Sequence, residues 1–320
     1  MKVLVTGGTG FVGNEVLREL HAAGHLIRLL VRRKDTPGAH QAISRYATEL
    51  RQGDILEPTT LPPALQGVDA VIHLVGIIVE SGVQTFENVH TRGTQNLIAA
   101  AHIFGLKRFI HMSAQGTKER APSRYHQSKW AAEEALSRSA LDWTIFRPSI
   151  IYGPRDNFVN QFAHMARTWP FLPVIGDGHA RLQPVAVKDV ARCFAGALSE
   201  PRSVRQCLDI GGPELLTMPQ ILQIIQAVIG RKRPIVRVPI GLASSLAAFL
   251  EYYFRNIAKD GVPPLTRDQL LMLQSDNVAD CQWTTAMFGL KQLSFAEGIA
   301  AYLCEDRGGK KQTAWRRETL

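Results

Sequence analysis

Three features of the 320-residue chain predict an α/β protein built on a doubly wound parallel sheet. The first is the opening stretch LVTGGTGFVGNEVLREL, from Leu4 to Leu20. There an apolar strand runs into glycines at G-x-x-G-x-x-G spacing and then into an amphipathic helix. The second is a rhythm of short apolar runs separated by helix-length segments through the first half. The third is a looser second half, with Pro and Gly concentrated between Trp169 and Pro184, which implies a smaller domain beside the sheet.

In chain order, Lys2 to Thr6, Leu26 to Val31, Ala70 to Leu74, Arg108 to Met112 and Trp143 to Phe146 read as strands. Gln206 to Ile210 reads as one more, and Met218 to Ile229 as a helix behind the N-cap candidate Thr217. The expected division is a Rossmann-type nucleotide-binding domain over 1–150, rejoined by about 185–212. A smaller substrate-side domain is expected over 151–184 and 213–305, with a basic tail over 306–320. Ile240 to Phe254 is apolar, but it contains Glu251 and two serines and falls short of the ~20 residues a membrane-spanning helix needs. Its Leu242, Leu246, Phe249, Leu250 and Tyr253 share one helical face. That face is expected to pack on the protein's own core, with an interfacial helix or an oligomer contact as the other readings.

The net charge of +9 is spread along the chain, which argues against a nucleic-acid partner. The tail is different, with Lys310, Lys311, Arg316 and Arg317 around Trp315; it reads as a frayed terminus or as a peripheral contact with anionic lipid or a protein partner. Four scattered cysteines suggest neither a metal site nor a disulfide framework. Met1 and Lys2 lead directly into a strand, so no secretory signal is expected, and the expected location is the cytoplasm or the periphery of the inner membrane.

The glycines have distinct tasks. Gly7 permits the tight turn, Gly10 lets backbone approach a pyrophosphate, and Gly13 lets the helix press close, with the helix N-terminus offering unpaired N–H groups to the phosphates. The second strand ends in LLVRRKD. An NAD site places a carboxylate there for the ribose 2′-hydroxyl, whereas Arg32 and Arg33 suit a 2′-phosphate, so NADP(H) is preferred over NAD(H). Asp54, after Gly53 at the end of a third strand, can accept from the adenine amino group.

TGGTGFVG, GDILEP, DAVIHLVG, YHQSK, RPSIIYGP and RLQPVAVKDVA stand in the order found in extended and atypical short-chain dehydrogenase/reductases. GDGHARLQPVAVKDVARC, DIGGPELLT and LTRDQLLMLQSDNVAD narrow the likeness. The chain resembles the epimerase/dehydratase-like group that contains the nucleotide-binding accessory subunit of respiratory complex I and its free-standing bacterial relatives, over nearly its whole length to about Leu303. The resemblance extends the expected cofactor contacts to Gly8, Thr9, Phe11, Val12, Ile55, Leu74, Val75, Gly76, His90, Met112, Pro148, Ile150 and Ile151.

It also implies that Tyr125 is the general acid/base, one helical turn from Lys129, which holds the nicotinamide ribose. The ammonium and an oxidised nicotinamide are expected to draw the phenol's pKa down toward neutrality. Two positions depart from the family. Ala114 stands where its carbonyl-polarising Ser or Thr would be, so Ser113, one residue earlier, is the catalytic candidate for that role if the chain bends there, and His90 replaces the asparagine of V-N-x-x-G-T. His90 either keeps the asparagine's hydrogen-bonding task or caps a helix. Arg181 and Asp189 line the substrate cleft or brace the domain, His73 packs near the cofactor strand, and Tyr152 is architectural. The expected function is an NADP(H)-dependent oxidoreductase acting on a carbonyl or quinone-related substrate. The alternatives are a non-catalytic NADPH-binding accessory or assembly protein, linked to a respiratory complex or to ubiquinone biosynthesis, and a nucleotide-sugar epimerase/dehydratase.

Overall fold

The computed structural model describes residues 1–258 and 261–304, so the basic tail expected over 306–320 lies outside the described residues. In chain order the strands are β1 (Lys2–Thr6), β2 (Leu26–Val31), β3 (Glu49–Gln52), β4 (Ala70–His73), β5 (Arg108–Met112), β6 (Asp142–Pro148), β7 (Ile151–Tyr152), β8 (Leu172–Ile175), β9 (Arg181–Leu182), β10 (Val185–Ala186), β11 (Gln206–Ile210), β12 (Leu216–Thr217) and β13 (Ile235–Val238). The helices are α1 (Phe11–Ala22), α2 (Pro37–Arg45), α3 (Pro62–Leu65), α4 (Gly93–Ile103), α5 (Arg124–Ser137), α6 (Val159–Thr168), α7 (Val187–Gly196), α8 (Met218–Ile229), α9 (Ile240–Asn256), α10 (Arg267–Leu273), α11 (Gln282–Phe288) and α12 (Phe295–Leu303).

Seven strands form one parallel sheet in the order β11-β6-β5-β4-β1-β2-β3. Strand order reverses between β1 and β4, and in such sheets the ligand crevice opens beyond the carboxyl ends of the strands at that point. Thr6 pairs with Leu30 on one side and His73 on the other, so the loops after β1, β2 and β4 emerge together. Burial follows from composition. β1 reads KVLVT, and Val3 and Val5 face α1 and α7 on one side while Leu4 faces the α3 and α4 side. Strands buried on both faces read as continuous apolar runs.

The second half packs around a separate cluster in which α6, α8 and α12 bury Val159, Ile221, Ile225, Phe295 and Ile299. Helix α8 starts as its sequence implies, because Thr217 and Gln220 form a capping box and Pro219 sits in the first turn. Tyr152 reaches this cluster, 2% exposed and edge-on to Phe295, an architectural position.

The α9 expectation is overturned. Leu242, Leu246, Phe249 and Tyr253 are exposed, and Ala243 and Ala247 are the buried residues, packed with Leu270 and Ile175. Periodicity identifies a stripe but not which stripe faces inward. Here the small alanines allow close approach to the body, and the bulky stripe is left outside.

Candidate active site

The loop after β1 is shaped by backbone contacts that leave no room for side chains. Gly7 takes φ +75°, and a Cβ on it would sit 3.0 Å from Leu74 C and from Val75 N, so the loop lies directly on the segment following β4. A Cβ on Gly13 would fall 2.2 Å from Gly7 O, which is why α1 can begin so close to the loop. Gly10 is the N-cap and no side chain caps the helix, so its first-turn N–H groups remain available to an anion. The N-terminus of α2 converges on the same place: Thr36 caps it, and Gly38 packs against Thr9.

Arg32 and Arg33 follow β2 at this end. Both are exposed, and neither forms an ion pair or side-chain hydrogen bond among the described residues. Gly53 N donates to Val31 O at 3.0 Å, which brings Asp54 beside them. One Asp54 carboxylate oxygen already accepts from Leu56 N at 2.9 Å.

Helix α5 carries Tyr125 and Lys129 because it is anchored at both ends. Ser123 caps it by accepting from His126 N, and Glu133, farther along, pairs bidentately with Arg147 of β6. Lys129 is buried, and its Nζ donates to Met112 O at 3.0 Å. A Cβ at Gly76 would lie 3.1 Å from that Nζ and 3.5 Å from His90 Nε2. The loop glycine, the post-β4 segment and the lysine therefore form a continuous wall.

His90 does more than cap a helix. It lies in a π-helical turn, Glu87–Arg92, that feeds α4, a geometry common at functional sites. Ile77 N donates to its Nε2 at 3.0 Å, so Nδ1 carries the proton and donates to Ser128 Oγ at 2.8 Å, and Ser128 donates to Tyr125 O at 2.8 Å. This relay ties the cofactor-side loop to the backbone of Tyr125. Burial, reinforced by the Lys129 and His73 charges, pushes His90 down to about 2, so it is neutral at physiological pH. His73 accepts from Thr6 Oγ1 at 2.6 Å and donates to Thr94 Oγ1 at 3.2 Å, since the Thr94 hydroxyl itself donates to His90 O. His73 thus packs on the cofactor strand, stacked on His111, whose ring nitrogens have no hydrogen-bond partner among the described residues.

Tyr125 is flanked edge-on by Phe86, His90 and His126. Burial pushes its phenol up to about 12 and the Lys129 amine down to about 8. In the protein alone the phenol is raised, because its ring is desolvated among aromatics and the Lys129 Nζ donates to a carbonyl; the expected lowering draws also on an oxidised nicotinamide. Ser113 is 3% exposed, with its hydroxyl toward Thr117 at 3.4 Å, whereas Ala114 is half-exposed. Ile55 and Val12 bury their side chains in the core, and the Pro148 and Ile150 carbonyls accept from Gln115 N and Val185 N. Arg181 braces, pairing with Asp276, and the buried Asp189 lies 3.6 Å from Arg192 within its own helix.

Three features escaped the sequence reading. Asp268 of α10 accepts from Arg124 N at 2.7 Å and Tyr125 N at 3.2 Å, so a residue from the second half caps the Tyr125 helix. The segment 276–281 crosses the strand ends through Ser149–Asn277, Gln115–Val278 and Gln183–Ala279 bonds. Between α9, α10 and the loop 79–86 lies a cleft of about 1070 Å³ lined by Glu80, Phe86, Phe254, Arg255 and Asp268. The Thr266/Gln269 capping box marks where α10 begins, but nothing local marks what Asp268 reaches.

The profile of the NAD dependent epimerase/dehydratase family matches residues 3–211. This chain belongs to that family. Within it, the chain is 27% identical over 278 residues to the mitochondrial NADH dehydrogenase [ubiquinone] 1 alpha subcomplex subunit 9 of Arabidopsis thaliana, covering 85% of this chain and 68% of that protein. It is 30% identical over 243 residues to a ceramide reductase of Caulobacter vibrioides, covering 74% and 73%. UDP-glucuronic acid 4-epimerase from Bacillus cereus, solved with UDP-glucuronic acid and NAD, superposes with a TM-score of 0.71 over 95% of this chain and 99% of its own, at 21% identity. The relatives thus include proteins named as reductases and as a respiratory-complex subunit, and the solved epimerase shares the fold.

Proposed function

We propose that this protein is an NADP(H)-dependent oxidoreductase that reduces a carbonyl or quinone-related substrate, with Tyr125 as the proton donor. The observation that carries the reading is the continuous wall from Gly7 through Gly76 to Lys129, one helical turn from Tyr125, whose ring meets Phe86 of the cleft lining edge-on. The residues fit the cofactor: a glycine loop that a Cβ would fill, a helix N-terminus without a side-chain cap, and two guanidinium groups without partners among the described residues. When bound, the nicotinamide supplies the hydride that the substrate carbon accepts.

The chain's own groups supply the rest. With its pKa at about 12, Tyr125 is a protonated phenol at neutral pH, suited to give its proton to the substrate oxygen as negative charge develops there, and it regains that proton from solvent. Lys129, held by Met112 O, would bond the ribose and bring positive charge near the phenolate left after transfer. The His90–Ser128 relay fixes the backbone of Tyr125 against the cofactor-side loop.

A second reading, an NADPH-binding accessory or assembly protein without turnover, is favoured by the Ser113 hydroxyl facing Thr117 and by Ala114 in the family's hydroxyl position. A relative named as a respiratory-complex subunit and another named Photosystem II assembly factor Ycf39 are in keeping with it. The test is oxidation of NADPH against quinones, carbonyl lipids and nucleotide sugars. Tyr125→Phe is expected to lose roughly 10²- to 10⁴-fold in rate while still binding NADPH. Equal turnover by the variant removes the acid role, and inertness toward every substrate favours the accessory reading.

A further inference from the structure

We infer that the cleft between α9, α10 and the loop 79–86 binds an amphiphilic anion, an apolar chain ending in a carboxylate or phosphate, with the acid group at Arg255. As the substrate class of the proposed reductase this rests on that reading; as a binding site it stands without hydride transfer. The cleft encloses about 1070 Å³, at the top of the roughly 300–1,000 Å³ of small-molecule sites. Phe86, Phe254, Pro263, Leu270 and Leu271 give it an apolar lining. Phe86 is also the ring that meets Tyr125 edge-on, and Asp268, in the same lining, accepts from Tyr125 N, so the cleft abuts the start of α5.

Every charge on this lining is answered except one. Glu80 pairs with Arg124 at 2.8 Å, and Asp268 accepts from the backbone N–H groups of Arg124 and Tyr125. Glu251 accepts from Arg267 N at 2.8 Å and from Arg267 Nε at 2.9 Å. Glu251 stands four residues before Arg255 on α9, the spacing and order at which a glutamate answers a cation on its own helix. Arg267 of α10 has taken that carboxylate. Arg255 is left exposed, with no ion pair or side-chain hydrogen bond among the described residues. A smaller hollow of about 350 Å³ lies against the same guanidinium, lined also by Tyr252, Asn256 and Arg267. A ligand that fills the cleft with hydrocarbon and answers the unpaired guanidinium is an amphiphilic acid. A neutral chain leaves Arg255 unanswered, and an amine-headed one meets it as a like charge.

The test is calorimetric titration of the full chain, without nucleotide, with octanoate, decanoate, decyl phosphate and decanol, each below its micellar concentration. Decanoate or decyl phosphate is expected to bind roughly five-fold or more tightly than decanol, and the tighter of the two names the head group. Decanoate should exceed octanoate by roughly four- to fifteen-fold for its two extra methylenes. Arg255→Gln should bring the acids level with decanol and leave decanol unchanged, whereas Leu271→Ser should weaken every ligand alike. Arg237→Gln, which removes an exposed cation ahead of α9, controls for general charge and should bind as the parent does. Unchanged thermal unfolding of each variant shows that it is folded. The inference is overturned if decanol binds as well as the acids, if chain length makes no difference, or if Arg255→Gln keeps the preference for acids. Inertness toward NADPH beside a positive titration overturns the reductase and leaves this site standing.

Discussion

Replacing Gly10 or Gly13 with alanine separates the two tasks of the glycine loop. At Gly13 the added Cβ would meet Gly7 O at 2.2 Å and Gly8 Cα at 2.5 Å. Both are backbone atoms, so α1 and the loop must part by about 1 Å, an overpacking worth roughly 3 kcal/mol, less about 1 kcal/mol recovered from alanine's better helix propensity. The expected net loss is about 2 kcal/mol, or a Tm lower by roughly 3 °C for a chain of this size. At Gly10 the Cβ meets only Gly7 O, at 3.3 Å, with the backbone at an ordinary φ of −74°, so stability should change by less than about 1 kcal/mol. The methyl instead fills the approach to the first-turn N–H groups. If it removes two charge-assisted hydrogen bonds to the diphosphate at about 1.5 kcal/mol each, NADPH affinity falls by roughly 100-fold. Thermal unfolding and nicotinamide fluorescence titration of both variants provide the readouts. A Gly10→Ala protein that binds NADPH like the parent would refute the assignment of this loop to the phosphates.

Two further predictions follow from the buried polar layer and from α10. His73, His90 and His126 are held at about 3, 2 and 4, and His111 well below its ordinary value, mainly by burial and then by neighbouring charges that include Lys129. The unfolded chain binds more protons below pH ~6.5, so stability is lost as pH falls. Between pH 7.5 and 5.5 four such histidines cost roughly 5 kcal/mol together, visible as a fall in Tm of about 7 °C, and a flat Tm over that range would contradict their neutral burial. Asp268→Ala removes the acceptor for two N–H groups at the start of α5 and should lower stability by about 1 kcal/mol, with Asp268→Asn milder; denaturant unfolding checks both.

Short-range pattern made the sheet side legible. β1, β2, β5 and β11 begin and end where their apolar runs do, and the Gly7 turn and the Tyr125/Lys129 spacing are local features that a single segment encodes. What the sequence concealed depends on partners far along the chain. Asp268 reaches Tyr125 N across 143 positions and Val278 O meets Gln115 across 163, and neither residue carries a local signature of its target. The His90 relay needed Ile77, Ser128 and a π-helical turn together, which V-H-T-R-G-T alone could not announce. On α9 apolar mass does not mark the buried side, because the small alanine stripe is the one that packs.

Arg32 and Arg33, with the glycine loop, are proposed to cradle a 2′-phosphorylated dinucleotide. Titrating the purified chain with NADPH and with NADH tests it most directly. Two exposed guanidinium contacts at about 1 kcal/mol each predict NADPH binding roughly 30-fold tighter, with the two cofactors brought level in Arg32→Ala/Arg33→Ala. Binding of neither nucleotide, or a preference unmoved by the double substitution, would contradict the account.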